Sequence, residues 1–127
     1  SMNMILSIAA GGAIGAVGRY LAMAGIGHWF GHGFPYGTMA VNVIGSLILG
    51  FLIEISTLTW SPSPEIRAFF VVGVLGAFTT FSAFSQDVAG LIERGEFLLA
   101  ASYVIASVVL SIAALFLGMI IFRQILV

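Results

Sequence analysis

The sequence predicts an all-α integral membrane protein of four transmembrane helices, with the third helix broken at mid-membrane. Three observations predict it. Of 127 residues, 61% are hydrophobic and only 7% charged, and no soluble domain of this length can hide so much apolar surface. The apolar residues fall into four runs, 4–23, 38–58, 66–92 and 97–122, each long enough to cross a bilayer core as a helix and together making one membrane domain over 1–127. Within the third run no charge occurs from Ala68 through Gln86, yet Gly73, Gly76 and the Thr79-Thr80 pair weaken the helix there. Loose backbone at membrane depth is tolerated only where it is buried in protein or lines a wet cavity.

The first span concentrates small residues on its inner turns, and Gly11 with Gly15 makes a small-xxx-small face suited to close helix packing. Arg19 ends its charge-free part. The arginine stem can snorkel to the interface, or its guanidinium can draw anions into a vestibule. Gly25 to Gly37 reads as a connection, broken by five glycines and Pro35 and carrying Trp29 and Tyr36, residue types that favour the bilayer edge. His28 and His32 sit four apart, a spacing that on one helix would offer two imidazoles to a metal. No acidic or Cys partner lies nearby, so interfacial histidines are the plainer reading.

The second span carries Asn42 in an otherwise apolar stretch, VNVIGSLILG, and a buried amide in lipid needs a partner. Helix glue is one account; a donor aimed at a permeating anion is the other, favoured because Gly45 and Ser46 keep the same face small and polar. Glu54, three turns on, falls near the interface. Ser61, Pro62, Ser63 and Pro64 form the next turn, with Pro64 and Glu65 as a helix start.

In the third span Thr79, Thr80, Ser82 and Ser85 crowd among Phe78, Phe81 and Phe84. Helical spacing puts Thr79, Ser82 and Ser85 in one polar row beside an aromatic row, a surface suited to something small and polar. The span closes with Asp87, Glu93 and Arg94. On the fourth span Tyr103, Ser107 and Ser111 recur at i, i+4 and i+8, a polar stripe placed to meet that surface.

Composition excludes several classes. Without cysteine there is no disulfide, thiolate metal site or thiol nucleophile, and two histidines cannot complete a structural zinc site. A net charge of −1 leaves no basic patch for nucleic acid. The N-terminus lacks the positive region of a cleaved signal peptide, and Ser1 ahead of Met2 reads as a tag remnant. Four spans put both termini on one side with Arg67 and Arg123, while Arg19 and Arg94 fall on the other, so the positive-inside rule gives no preference. Two copies in opposite orientations can then pair about an axis in the membrane plane, and four short spans are too few to enclose a pore alone.

Three blocks in order, GGAIGAVGRY, GTMAVNVIG and GVLGAFTTFSAFS, resemble the bacterial fluoride channel family, Fluc or CrcB. The resemblance covers nearly the whole chain. It implies a channel, not an enzyme: an antiparallel, dual-topology homodimer in the bacterial cytoplasmic (inner) membrane, embedded in lipid, that passes fluoride passively through two pores and relieves fluoride toxicity. In that likeness Asn42 matches the pore asparagine, and Phe81 and Phe84 match phenylalanines whose ring edges face the anion. Tyr103, Ser107 and Ser111 match polar groups along the pore wall, with Ser82 in the same track, and Arg19 matches the arginine ending the first span. Gly76 and Thr79 match positions whose backbone carbonyls, from both subunits, hold a structural sodium ion. Ala77 and Ala83 depart from the family pattern, the second removing one hydroxyl from the polar row.

The chemistry is compatible with that resemblance. Fluoride is small and strongly hydrated, so a membrane path must replace its water with donors, and amide and hydroxyl groups do so without a fixed cation that would trap it. Phenylalanine edges add weak attraction through the positive rim of the ring. A proton-coupled antiporter of the small multidrug type is the alternative of similar size, but it needs an ionisable carboxylate deep in the membrane, and the only candidate, Glu54, lies near an edge. A non-transporting assembly subunit would leave the phased polar rows unexplained.

Overall fold

A computed structural model describes residues 1–126. Helix α1 (Met2–Phe30) is capped by the Ser1 hydroxyl, which accepts from the Met4 N–H at 3.2 Å, and it ends at Gly31, whose φ of 78° turns the chain. Helix α2 (Tyr36–Leu58) follows after a short connection. The connection expected over Gly25 to Gly37 is therefore shorter: Gly25 and Gly27 lie inside α1, and only the positive φ at Gly31 stops the helix. This also separates the two histidines, because His28 is on the last turn of α1 and His32 lies beyond the Gly31 turn.

The third stretch is composite. Helix α3 (Pro64–Arg67) starts at Ser63, whose hydroxyl accepts from the Ile66 N–H at 3.3 Å, with Pro64 at the first position, where its missing N–H costs nothing. It continues as π-helical turns over Ala68–Leu75 and a last α-turn, α4 (Gly76–Phe78). The backbone is then extended at Thr79 (φ −82°, ψ 157°) and Thr80 (φ −150°, ψ 118°) before α5 (Phe81–Glu93) begins. After a turn at Gly95, α6 (Phe97–Leu126) closes the fold. Pro64–Glu93 and the other three stretches are long and apolar enough to cross a membrane, and no strand occurs among the described residues.

Two crossings hold the helices together, and both depend on glycine. Where α1 meets the π-helical turns, a Cβ at Gly11 or Gly15 would collide with the carbonyls of Phe69 or Val74, and Gly73 faces the Gly11 Cα. Where α2 meets α6, Gly50 abuts the Leu115 carbonyl and Gly118 the Leu47 carbonyl. In lipid, where apolar burial drives little association, such backbone-to-backbone approach supplies the dispersion contact that joins helices. The α2/α6 pair also carries one strong ionic tie. Glu54 is only 5% exposed, and its carboxylate accepts from Arg123 at 2.6 Å. Near the chain's membrane edge this answers the cost of a buried charge with a partner.

Candidate ion pathway

The site begins with the two extended threonines. Residues that leave the helix expose backbone groups that lipid cannot satisfy. Here the bonds are redistributed. Asn42, reaching across from α2, accepts from the Thr80 N–H through Oδ1 at 2.7 Å and donates to the Thr80 carbonyl through Nδ2 at 3.1 Å. The Thr80 hydroxyl in turn accepts from the Ala83 N–H at 3.0 Å, capping α5. Thr79 bonds backward, its N–H and Oγ1 both donating to the Leu75 carbonyl at 3.0 and 2.9 Å.

This exchange has a consequence for two carbonyls. In a continuous helix the Gly76 oxygen would take the Thr80 N–H and the Thr79 oxygen the Ala83 N–H. Both N–H groups are diverted, one to Asn42 and one to the Thr80 hydroxyl. Gly76 and Thr79 thus present carbonyl oxygens without their usual helical partners. These uncharged oxygens suit a hard monovalent cation.

Around the interruption lies an open-sided cavity of about 430 Å³. Asn42, Gly76, Thr79, Phe81, Phe84, Ser107 and Ser111 all border it, so α2, the composite third stretch and α6 bring most of the sequence-predicted residues to one place. Asn42 has spent one of its two amide hydrogens on Thr80, leaving the other as a donor. Ser107 is 6% exposed, and its hydroxyl has no hydrogen-bond partner. A buried, unsatisfied hydroxyl carries a desolvation cost of about 1–3 kcal/mol, which an arriving acceptor would relieve. Phe81 and Phe84 stand 5.6 Å apart between ring centres, tilted by 46°, and Phe81 is 79% exposed on the open side.

Tyr103 sits one layer further along. It is fully buried, packed 5.1 Å from Phe84 and edge-on to Phe34 at 5.4 Å, and its hydroxyl donates to Asp87 Oδ2 at 3.0 Å. Asp87 borders a second cavity of about 550 Å³, together with Arg19, His32, Tyr36 and Thr38. Among the described residues the ion pairs are Arg123 with Glu54 and Arg94 with Glu96, so Arg19 brings an unpaired positive charge to this second cavity. The chain of contact runs from the Arg19 cavity through Asp87, Tyr103 and Phe84 into the Asn42 cavity.

One expectation needs correcting. The polar row of Thr79, Ser82 and Ser85 does not form, because the extended residues break helical phase between Thr79 and Ser82. Ser82 instead lies 3.3 Å from the hydroxyl of Thr80, which borders the cavity, and Ser85 donates to the Phe81 carbonyl at 3.0 Å. Sequence reasoning gave no site role to Thr80, Thr38 or Asp87. The signal for Asp87 was present: it stands one turn after Phe84, on the same helical face.

The family described as "CrcB-like protein, Camphor Resistance (CrcB)" matches residues 6–119. A protein of Rhodospirillum centenum named "Fluoride-specific ion channel FluC" is 55% identical over 122 residues, covering 96% of this chain and 97% of that one. The proteins of the same name from Nitrobacter winogradskyi and Geobacter sulfurreducens are 51% and 44% identical, each over 97% of this chain and 98% and 99% of their own length.

Proposed function

The chain belongs to the CrcB family, and from that premise we propose that it is a bacterial multi-pass membrane channel that lets fluoride leave the cytoplasm passively by way of the Asn42 cavity. The observation that carries the route is the Ser107 hydroxyl, buried and unpartnered on the wall of a cavity ringed by further neutral donors. An anion without its water needs such donors. Entry is at the Arg19 cavity, where the guanidinium, offset by Asp87 in the same cavity, meets anions without holding them in the narrow part. Tyr103 then offers its hydroxyl: an arriving fluoride competes with the Asp87 carboxylate as acceptor, and the O–H turns from one to the other with no charge created. Past the Phe84 edge, Ser107, Ser111 and the second Asn42 N–H take over. Each site is weak and neutral, as conduction requires.

Two copies complete the structure. The cavity is open-sided, Phe81 is exposed on that side, and the arginines balance two against two across the membrane, which favours insertion in both orientations and an antiparallel homodimer with two pores. The interruption at Thr79 and Thr80 then lies at mid-membrane, where the dimer axis brings the Gly76 and Thr79 carbonyls of both copies to one point. A sodium ion held there would supply a fixed positive charge and satisfy backbone oxygens that lipid cannot. A proton-coupled antiporter is disfavoured, because Glu54 is tied to Arg123 and so is not free to cycle a proton.

Purified protein in liposomes should release fluoride under a potassium and valinomycin potential. Equal chloride flux, or a strict need for a proton gradient, overturns the reading. Adding lysines to one loop should force one orientation and abolish flux when that variant is expressed alone.

A further inference from the structure

We propose that His32 is a titratable charge at the mouth of the ion route, one that speeds anion entry when its imidazole is protonated. The inference rests on the reading of the Arg19 cavity as the mouth. His32 follows the Gly31 turn, and its ring lies against the buried Gly27: a Cβ there would come 3.2 Å from Nε2 and 3.3 Å from Nδ1. One glycine turns the chain and another leaves room for the ring, so the imidazole is seated over the end of α1 and borders the cavity.

The charges that face this cavity are few. From α1 come Arg19 and Tyr20, from the start of α2 Tyr36, and from α5 Asp87. Phenols are neutral across the weakly acidic range. Arg19 and Asp87 cancel, so with a neutral imidazole the mouth has no net charge, and with a protonated one it has a net charge of +1. Imidazole is the side chain that makes this change under mild acidification. A unit charge a few ångströms from an entering anion, in a wet cavity, changes entry by about two- to fivefold, and salt screens the effect.

The test uses the whole chain in liposomes, with the pH set equal on both faces at about 5.5 or about 7.5, either side of the ordinary imidazole range, and the leak of protein-free vesicles subtracted. Wild-type fluoride release should be about two- to fivefold faster at the lower pH in low salt, with the ratio shrinking in high salt. His32→Gln should give the same rate at both values, and His32→Lys should be fast at both. A pH ratio in His32→Gln equal to that of wild type overturns the proposal. A ratio indifferent to salt overturns it as well. Absence of wild-type flux at either pH overturns the channel reading instead.

Discussion

Replacing Gly45 with alanine tests how closely α2 grips the interrupted backbone. The new Cβ would overlap the Thr79 Cγ2 methyl and sit 3.5 Å from the Phe78 ring. Thr79 cannot swing aside freely, because its Oγ1 and N–H are both bonded to the Leu75 carbonyl. Overpacking of this kind costs about 1–3 kcal/mol. The same overlap can be removed from the other side. Thr79→Ser keeps the hydroxyl and its bond to Leu75 while deleting only the methyl, at a cost of about 0.8 kcal/mol or less. Gly45→Ala/Thr79→Ser should therefore recover most of what Gly45→Ala loses, a coupling of about 1–2 kcal/mol. Unfolding of the four proteins in mild detergent measures the coupling, and fluoride release from liposomes should recover in parallel. If the two substitutions simply add, the contact between Gly45 and Thr79 does not set the geometry of the interruption.

Ser107→Ala should lower fluoride release severalfold while leaving stability equal or up to about 1 kcal/mol higher, since the lost hydroxyl was buried and unpartnered; unchanged flux removes Ser107 from the route. Asn42→Ala deletes both bonds to Thr80 and should destabilise by about 2–3 kcal/mol as well as silence flux, and denaturation midpoints that match wild type would refute the backbone role. Exchange of sodium for a larger organic cation during purification should weaken the dimer or stop flux, and a channel equally dimeric and active without sodium counts against the carbonyl site. Gly76→Val is informative in the same assay: within one chain a Cβ at Gly76 meets only the Val71 carbonyl at 3.5 Å, so a loss of flux with a folded monomer reports the second copy.

Hydropathy and small-residue spacing made the four spans legible, and the Gly11/Gly15 face packs as its spacing implies. Span ends were less legible, because composition registers the hydrocarbon core while a helix continues through the interface until a residue such as Gly31 turns it. The site was partly legible for the same kind of reason. Ser107 and Ser111 share a helical face with Tyr103, so periodicity finds them. The pairing of Asn42 with Thr80 spans 38 residues and depends on a backbone that has left the helix, which no periodic pattern encodes. The expected row of Thr79, Ser82 and Ser85 does not form because Thr79 and Thr80 are extended, so helical phase does not carry across them.

The Asn42–Thr80 bonds also bear on synthesis. A ribosome delivers Asn42 to the membrane 38 residues before Thr80, so the partner that satisfies the interrupted backbone is already in place when the third stretch partitions from the translocon. Without it, each unsatisfied N–H or carbonyl in hydrocarbon would cost several kcal/mol, enough to hold that stretch in the aqueous exit or favour its degradation. The order of the chain therefore serves as an insertion schedule. A permuted gene that made α2 last would meet its obstacle during biogenesis, before any ion crossed.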